Sequence, residues 1–176
     1  MPNAVSESSA REMPVNMNAA TSAITALPQI RMTIWNFCKL ESLLLTRGDE
    51  RSWRVDALLA RELKRSVVMD DSQIPPEVAT MRSRVEFRIG GTGLAQISTL
   101  VYPGECHAYE DAISVLTPLG SAILGLSEGQ SISYAGPDGT SVDVTILRVL
   151  HQPEAARRRG AKRVDEVFGA LQLEPV

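Results

Sequence analysis

Histidine, cysteine and aromatic residues are all scarce in this 176-residue chain, which has two His, two Cys, two Trp, three Tyr and three Phe. Each scarcity excludes something. Cys38 and Cys106 stand far apart with no CxxC, so they offer neither a disulfide framework nor a zinc-ligand set, and they read as reduced small hydrophobes of a cytosolic protein. Aromatics at 5% are too few for a stacking platform on single-stranded nucleic acid. No apolar run approaches the roughly 20 residues that cross a bilayer. The stretch from Met1 to Ala20 lacks the basic-then-apolar order of a secretory signal. A cytoplasmic protein without membrane contact is expected.

Catalytic motifs are missing too. There is no G-x-S-x-G, and neither histidine has a nucleophile arranged beside it in sequence. Gly90-Gly-Thr-Gly93 lacks both the Lys-Ser/Thr of a P-loop and the helix of a dinucleotide site, so it reads as a hairpin turn. His107 lies among Glu105, Cys106, Glu110 and Asp111. These are legitimate metal ligands, but neighbours in sequence rarely close one site, and the segment reads as an acidic solvent-facing loop. His151 follows a strand and reads as packing at its end. No cofactor, no metal and no enzymatic activity are expected.

What the chain does have is a 44% hydrophobic content, enough for one domain and a smaller element. Its formal charge of -3 hides an asymmetry. Residues 31–65 carry eight Lys/Arg against five Asp/Glu, residues 66–156 four against eleven, and residues 157–176 five against three. An acidic body between basic flanks is a poor autonomous DNA binder and suits a protein partner with a positive patch.

Residues 1–30, rich in Ser, Ala, Asn and Pro and without a sustained period, are expected to be a disordered tail. From Thr33, a candidate N-cap, Ile34, Phe37, Leu40, Leu43 and Leu44 recur at helical spacing. Arg47-Gly-Asp-Glu-Arg51 breaks the pattern. Ser52 is placed to cap a second helix carrying Trp53, Val55, Leu58, Leu59 and Leu63, with charges interleaved. Two helices joined so tightly must be nearly antiparallel, and at three to four turns each they need the body behind them. This hairpin is assigned to residues 31–68.

Beyond the connector Asp70–Pro76, the spacing predicts strands at Val85–Ile89, Ala95–Tyr102, Ile113–Leu116, Gly129–Tyr134 and Val142–Val149, with Pro137-Asp-Gly139 as a hairpin turn. The expected fold is α+β, an antiparallel sheet curled over one core with one small helix, spanning 76–156. Residues 157–176 form a basic extension with a last helix expected from Val164 to Leu171. The run from Ile113 to Gly125 stands out. It reads as a short strand, a break at Pro118, a brief helical piece with Leu119, Ala122, Ile123 and Leu124, and a glycine stop. Such a corner is either core or docking surface.

Residues from about Ile34 to Ala155 resemble the Rnk-like (regulator of nucleoside diphosphate kinase) branch of the Gre transcript-cleavage-factor superfamily. The resemblance lies in Val78–Phe87, Leu100-Val-Tyr-Pro-Gly104, the Ile113–Gly125 run, Gly129-Gln-Ser-Ile132 and Gln152-Pro-Glu-Ala155, in the family's order and spacing. It implies an N-terminal helical hairpin and an FKBP-like domain that docks on RNA polymerase near the secondary channel. The family's aspartate-serine-proline docking stretch falls on Leu116, Thr117 and Pro118, with Leu119 beside it. Leucine replaces the aspartate, which makes the expected contact more apolar. In the cleavage factors a long coiled coil carries acidic tip residues to the polymerase active site. Here the hairpin is short, and Asp49 and Glu50 match that tip only loosely.

The expectation is a non-catalytic, monomeric regulator that binds RNA polymerase and competes with cleavage factors, without sequence-specific nucleic-acid binding of its own. The alternatives are a cleavage-stimulating factor acting through Asp49 and Glu50, and an adaptor with no polymerase contact.

Overall fold

The computed structural model describes residues 27–47, 53–90, 93–136 and 138–171, giving only the backbone for 53–54 and 164–171. The chain enters through β1 (Arg31–Thr33), rises along α1 (Ile34–Leu45), returns along α2 (Trp53–Arg65), and closes with β2 (Val67–Met69). β1 and β2 pair in parallel, Arg31 opposite Val67 and Thr33 opposite Met69, so a two-stranded ribbon clamps both feet of the hairpin. The sequence expectation had no strands here. Three-residue strands leave too little alternation to read.

Thr33 caps α1 as expected, its side chain accepting from the Asn36 amide at 3.2 Å. The apolar face departs from expectation at its first turn, where Ile34 is 54% exposed and Asn36 is buried. On α2, Leu59 and Leu63 are buried, and so is Glu62. The Glu62 carboxylate survives burial because Arg61 Nε (3.1 Å) and Arg65 Nε (2.6 Å) donate to it. Arg65 also donates to the Pro28 carbonyl, and Ile30 is fully buried with its carbonyl accepting from Val67. Residues 28–30 therefore belong to the fold rather than to a disordered tail. Residues 1–26 of that expectation lie outside the described residues.

The body is a five-stranded sheet in the order β5-β4-β3-β7-β6. Its strands are β3 (Arg84–Ile89), β4 (Ala95–Val101), β5 (Ala112–Ser114), β6 (Ser131–Ala135) and β7 (Ser141–His151). Alternation places Val85 and Phe87 in the core and Arg84 and Arg88 on the outer face. The sheet is mixed rather than antiparallel, because β5 runs parallel to β4, with Thr99 opposite Ala112 and Val101 opposite Ser114. The 3-10 turn Pro103–Ala108 carries the chain back to the starting end, which a tight antiparallel turn would not do.

α3 (Pro118–Ile123) lies under the sheet, and α4 (Pro153–Leu171) leaves the end of β7. α4 begins eleven residues before the expected Val164, with proline in its first turn, where the missing N–H costs nothing. Arg157 Nη2 reaches Asp71 Oδ2 at 2.8 Å, and Arg158 donates to the Asp71 and Ile74 carbonyls at 2.6 and 2.8 Å. One core cluster runs from Leu40, Leu59 and Leu63 of the hairpin through Ala122, Ile123 and Leu124 to Phe87, Leu100 and Ile146 of the sheet. Helices this short are held by that shared burial.

Candidate functional site

The Ile113–Gly125 corner is built on close backbone approach. β5 ends at Ser114, and Thr117 caps α3. The Thr117 hydroxyl accepts from the Gly120 amide at 3.0 Å and donates to the Ser114 carbonyl at 2.8 Å. Pro118 starts the helix. Gly120 sits so close that a Cβ there would lie 2.1 Å from the Ser114 carbonyl oxygen. Gly125 closes the corner with φ +77°, and a Cβ there would meet the Arg31 carbonyl oxygen at 2.9 Å. The Gly125 carbonyl accepts from the Arg31 amide at 3.0 Å, and its amide donates to Ala79 at 2.8 Å, so this glycine links corner, hairpin foot and body.

The choice between core and surface resolves residue by residue. Val115 and residues 120–124 are buried. Leu116, Thr117, Pro118 and Leu119 are half-buried, with Leu116 and Leu119 packed on the core by one flank. The four sequence-selected residues thus form one contiguous ledge on a rigid base. Asp49 and Glu50 lie outside the described residues. The helices leading to them have 12 and 13 residues, or about 18–20 Å at 1.5 Å per residue.

A buried polar joint, which sequence reasoning missed, fastens the hairpin to the body. Glu154, in the first turn of α4 and only 5% exposed, accepts from the Thr80 hydroxyl at 2.7 Å and from Asn36 Nδ2 at 3.4 Å. The Tyr102 hydroxyl donates to Asn36 Oδ1 at 2.9 Å. Arg157 stands 4.0 Å from Glu154, and Lys39 Nζ lies 3.8 Å above the Tyr102 ring. Burial, with lesser charge effects, drives the Tyr102 phenol well above its ordinary pKa and keeps it a donor. Asn36 lies between the apolar positions read on α1, so the helical period carried no signal for its burial.

The acidic loop is structural at two of its acids. Glu105 pairs with Arg82, whose Nε lies 3.0 Å from Oε2, and that hydrogen bond holds the carboxyl below the usual carboxylate range. Asp111 pairs with Arg84 at 3.1 Å. Among the described residues, no three His, Cys, Asp or Glu side chains are gathered to hold a metal ion. Cys38 and Cys106 are exposed free thiols.

The described residues thus form a two-helix arm rooted in a curled mixed sheet, with a helical corner beneath it. Residues 74–151 match the family model for the C-terminal part of the transcription elongation factors GreA/GreB. The chain is 41% identical over 101 residues to the regulator of nucleoside diphosphate kinase of Escherichia coli strain K12, covering 57% of this chain and 74% of that protein. It is 30% identical over 91 residues to the transcription elongation factor GreA of Syntrophomonas wolfei, covering 52% and 57%. A solved GreA/GreB elongation factor from Nitrosomonas europaea is 36% identical and superposes with a TM-score of 0.56 over 70% of this chain and 99% of that one. The chain belongs to the GreA/GreB family, on the branch of the regulator of nucleoside diphosphate kinase. Among the described residues no helix is long and apolar enough to cross a membrane.

Proposed function

We propose that this protein is a non-catalytic regulator of transcription that binds RNA polymerase near its secondary channel, in the cytoplasm and as a monomer. The ledge Leu116-Thr117-Pro118-Leu119 is the docking surface. Its support is the geometry of the corner: partly exposed apolar side chains held on a base that glycine contacts and a capped helix turn make rigid. A preformed surface loses little entropy on association. The FKBP-like character of the sheet body and the hairpin's place at the channel entrance belong to the same reading. So does competition with longer cleavage factors.

Helices of about 18–20 Å argue against delivery of Asp49 and Glu50 to a distant catalytic centre. Pull-down of core RNA polymerase by the full chain tests the proposal. Leu119→Glu is expected to weaken binding at least about tenfold, a loss of ~1.4 kcal/mol, while circular dichroism stays unchanged; equal affinity for the folded variant excludes the ledge. No binding by the wild-type chain favours the adaptor reading. Cleavage of stalled transcripts that disappears with Asp49→Ala favours the cleavage-factor reading.

A further inference from the structure

Two irregularities of the sheet meet at one place on its outer face, away from the Leu116–Leu119 ledge. Arg82, two residues before β3, has φ +63°, a conformation that costs a side-chain-bearing residue energy and persists only where its surroundings enforce it. Across the sheet the register of β7 shifts between Arg84 and Val85, so that Leu150 is the extra residue and His151 falls opposite Arg84. A bulge of this kind re-aims the side chain next to it. On the other side of β3, Thr99 stands opposite Arg84. Thr99, Arg84 and His151 therefore form one polar row across three strands.

That row floors an open cleft of about 780 Å³, walled by Arg82, Tyr109, Asp111 and Pro153. Its volume falls within the roughly 300–1,000 Å³ typical of small-molecule sites. Polar chemistry within it is sorted by charge. Asp111 is committed, one oxygen accepting from the Thr99 hydroxyl at 3.1 Å and the other in ion-pair contact with Arg84 Nη2 at 3.1 Å without an aligned hydrogen bond. This pairing orients the Arg84 guanidinium while leaving its side chain 54% exposed. A guanidinium has five N–H donors, so most remain available. Arg82 is likewise oriented by Glu105 and 46% exposed, and His151 is exposed. Tyr109, 37% exposed, supplies an aromatic wall. Glu110 is the one lining carboxylate that makes no ion pair with a described residue.

We propose that this cleft binds a small ligand bearing an oxyanion, with the oxyanion received by Arg84 and His151 and an apolar or planar portion lying against Tyr109. Held, forked donors are the usual means of recognising phosphate and carboxylate groups. The proposal does not depend on polymerase binding.

Phenyl phosphate and benzoate, titrated separately into the isotope-labelled full chain, separate the two sources of oxyanion, and phenol is the neutral control. Amide resonances of Arg84, Thr99, Asp111 and His151 are expected to shift saturably with at least one anion and not with phenol. His151→Ala and Arg84→Ala are each expected to raise Kd by about tenfold or more, and Glu110→Gln to lower it. Arg88→Ala, on the same strand but outside the cleft, should bind as the wild type. Should Arg84→Ala not fold, His151→Ala alone decides. Absence of saturable shifts up to ~10 mM of either anion, far above the affinity of a built site, overturns the proposal. So does wild-type affinity in the folded His151→Ala variant.

Discussion

The hairpin is attached to the body twice, in two different ways. On one side α2 packs Leu59 and Leu63 into the core that contains Ala122, Ile123 and Leu124 of the α3 corner. On the other, α1, besides burying Leu40 in that core, is tied to α4 and the body by a polar joint of Asn36, Glu154, Thr80 and Tyr102. The apolar seam supplies most of the free energy, because burial is non-directional and scales with area. The polar joint supplies little net stabilisation, since each of its groups gave up water to enter. It does fix direction: only one orientation of α1 satisfies the Asn36 carboxamide at both ends. A protein whose proposed work is to present a short arm at a fixed angle needs both attachments.

Perturbing the apolar side at its tightest point should do most damage. Gly120→Ala places a methyl 2.1 Å from the Ser114 carbonyl oxygen, a backbone atom that cannot swing aside. Loss of about 3 kcal/mol or more is expected, with α3 and β5 displaced together. Equilibrium urea unfolding measures it, and a variant as stable as the wild type would mean that the corner yields to a methyl group at Gly120. Leu63→Ala leaves a cavity in the same seam and is expected to cost about 2–4 kcal/mol, lowering Tm without altering hydrogen exchange selectively in either helix.

The polar joint should respond differently. Glu154→Gln keeps shape but makes one arm of the carboxyl a donor facing either the Thr80 hydroxyl or Asn36 Nδ2. About 1–2 kcal/mol is expected, with hydrogen exchange accelerated in α1 well before the sheet core. Uniform acceleration would erase the distinction between a seam that stabilises and a joint that orients. The smallest effect belongs to Glu105. Arg82 holds its carboxyl below the ordinary carboxylate range, so the pair's contribution is present above that range and lost as pH falls through the lowered folded value. Both side chains are partly exposed, so the contribution is at most about 1 kcal/mol. Arg82→Met should flatten the acid side of a stability-versus-pH curve measured in urea, and an unchanged curve would show the pair to be idle.

Much of the frame was legible beforehand. The Thr33 cap, both hairpin helices and the β3 alternation follow from local rules: a side-chain oxygen for orphan amides, a 3.6-residue period, a two-residue period. Leu116–Leu119 was legible as a corner because proline and glycine state where a strand must stop. The β1/β2 ribbon, the parallel course of β5, the early start of α4, the buried carboxylates and the cleft were not. Most depend on residues far apart in the chain, and a window of sequence has no access to what lies across a fold; Glu62 has its partners Arg61 and Arg65 close by in sequence, and only its burial is decided at a distance.

The amino-acid order by itself determined where the longer helices of the arm and the principal strands of the sheet form, because those preferences are set by a residue and its near neighbours. Only the tertiary structure decided that Asn36 meets Glu154 across 118 positions, that Glu62 is buried, and that His151 comes to lie opposite Arg84. Charges and amides enter an interior only when specific partners replace the lost water, and those partners exist only once the chain has folded.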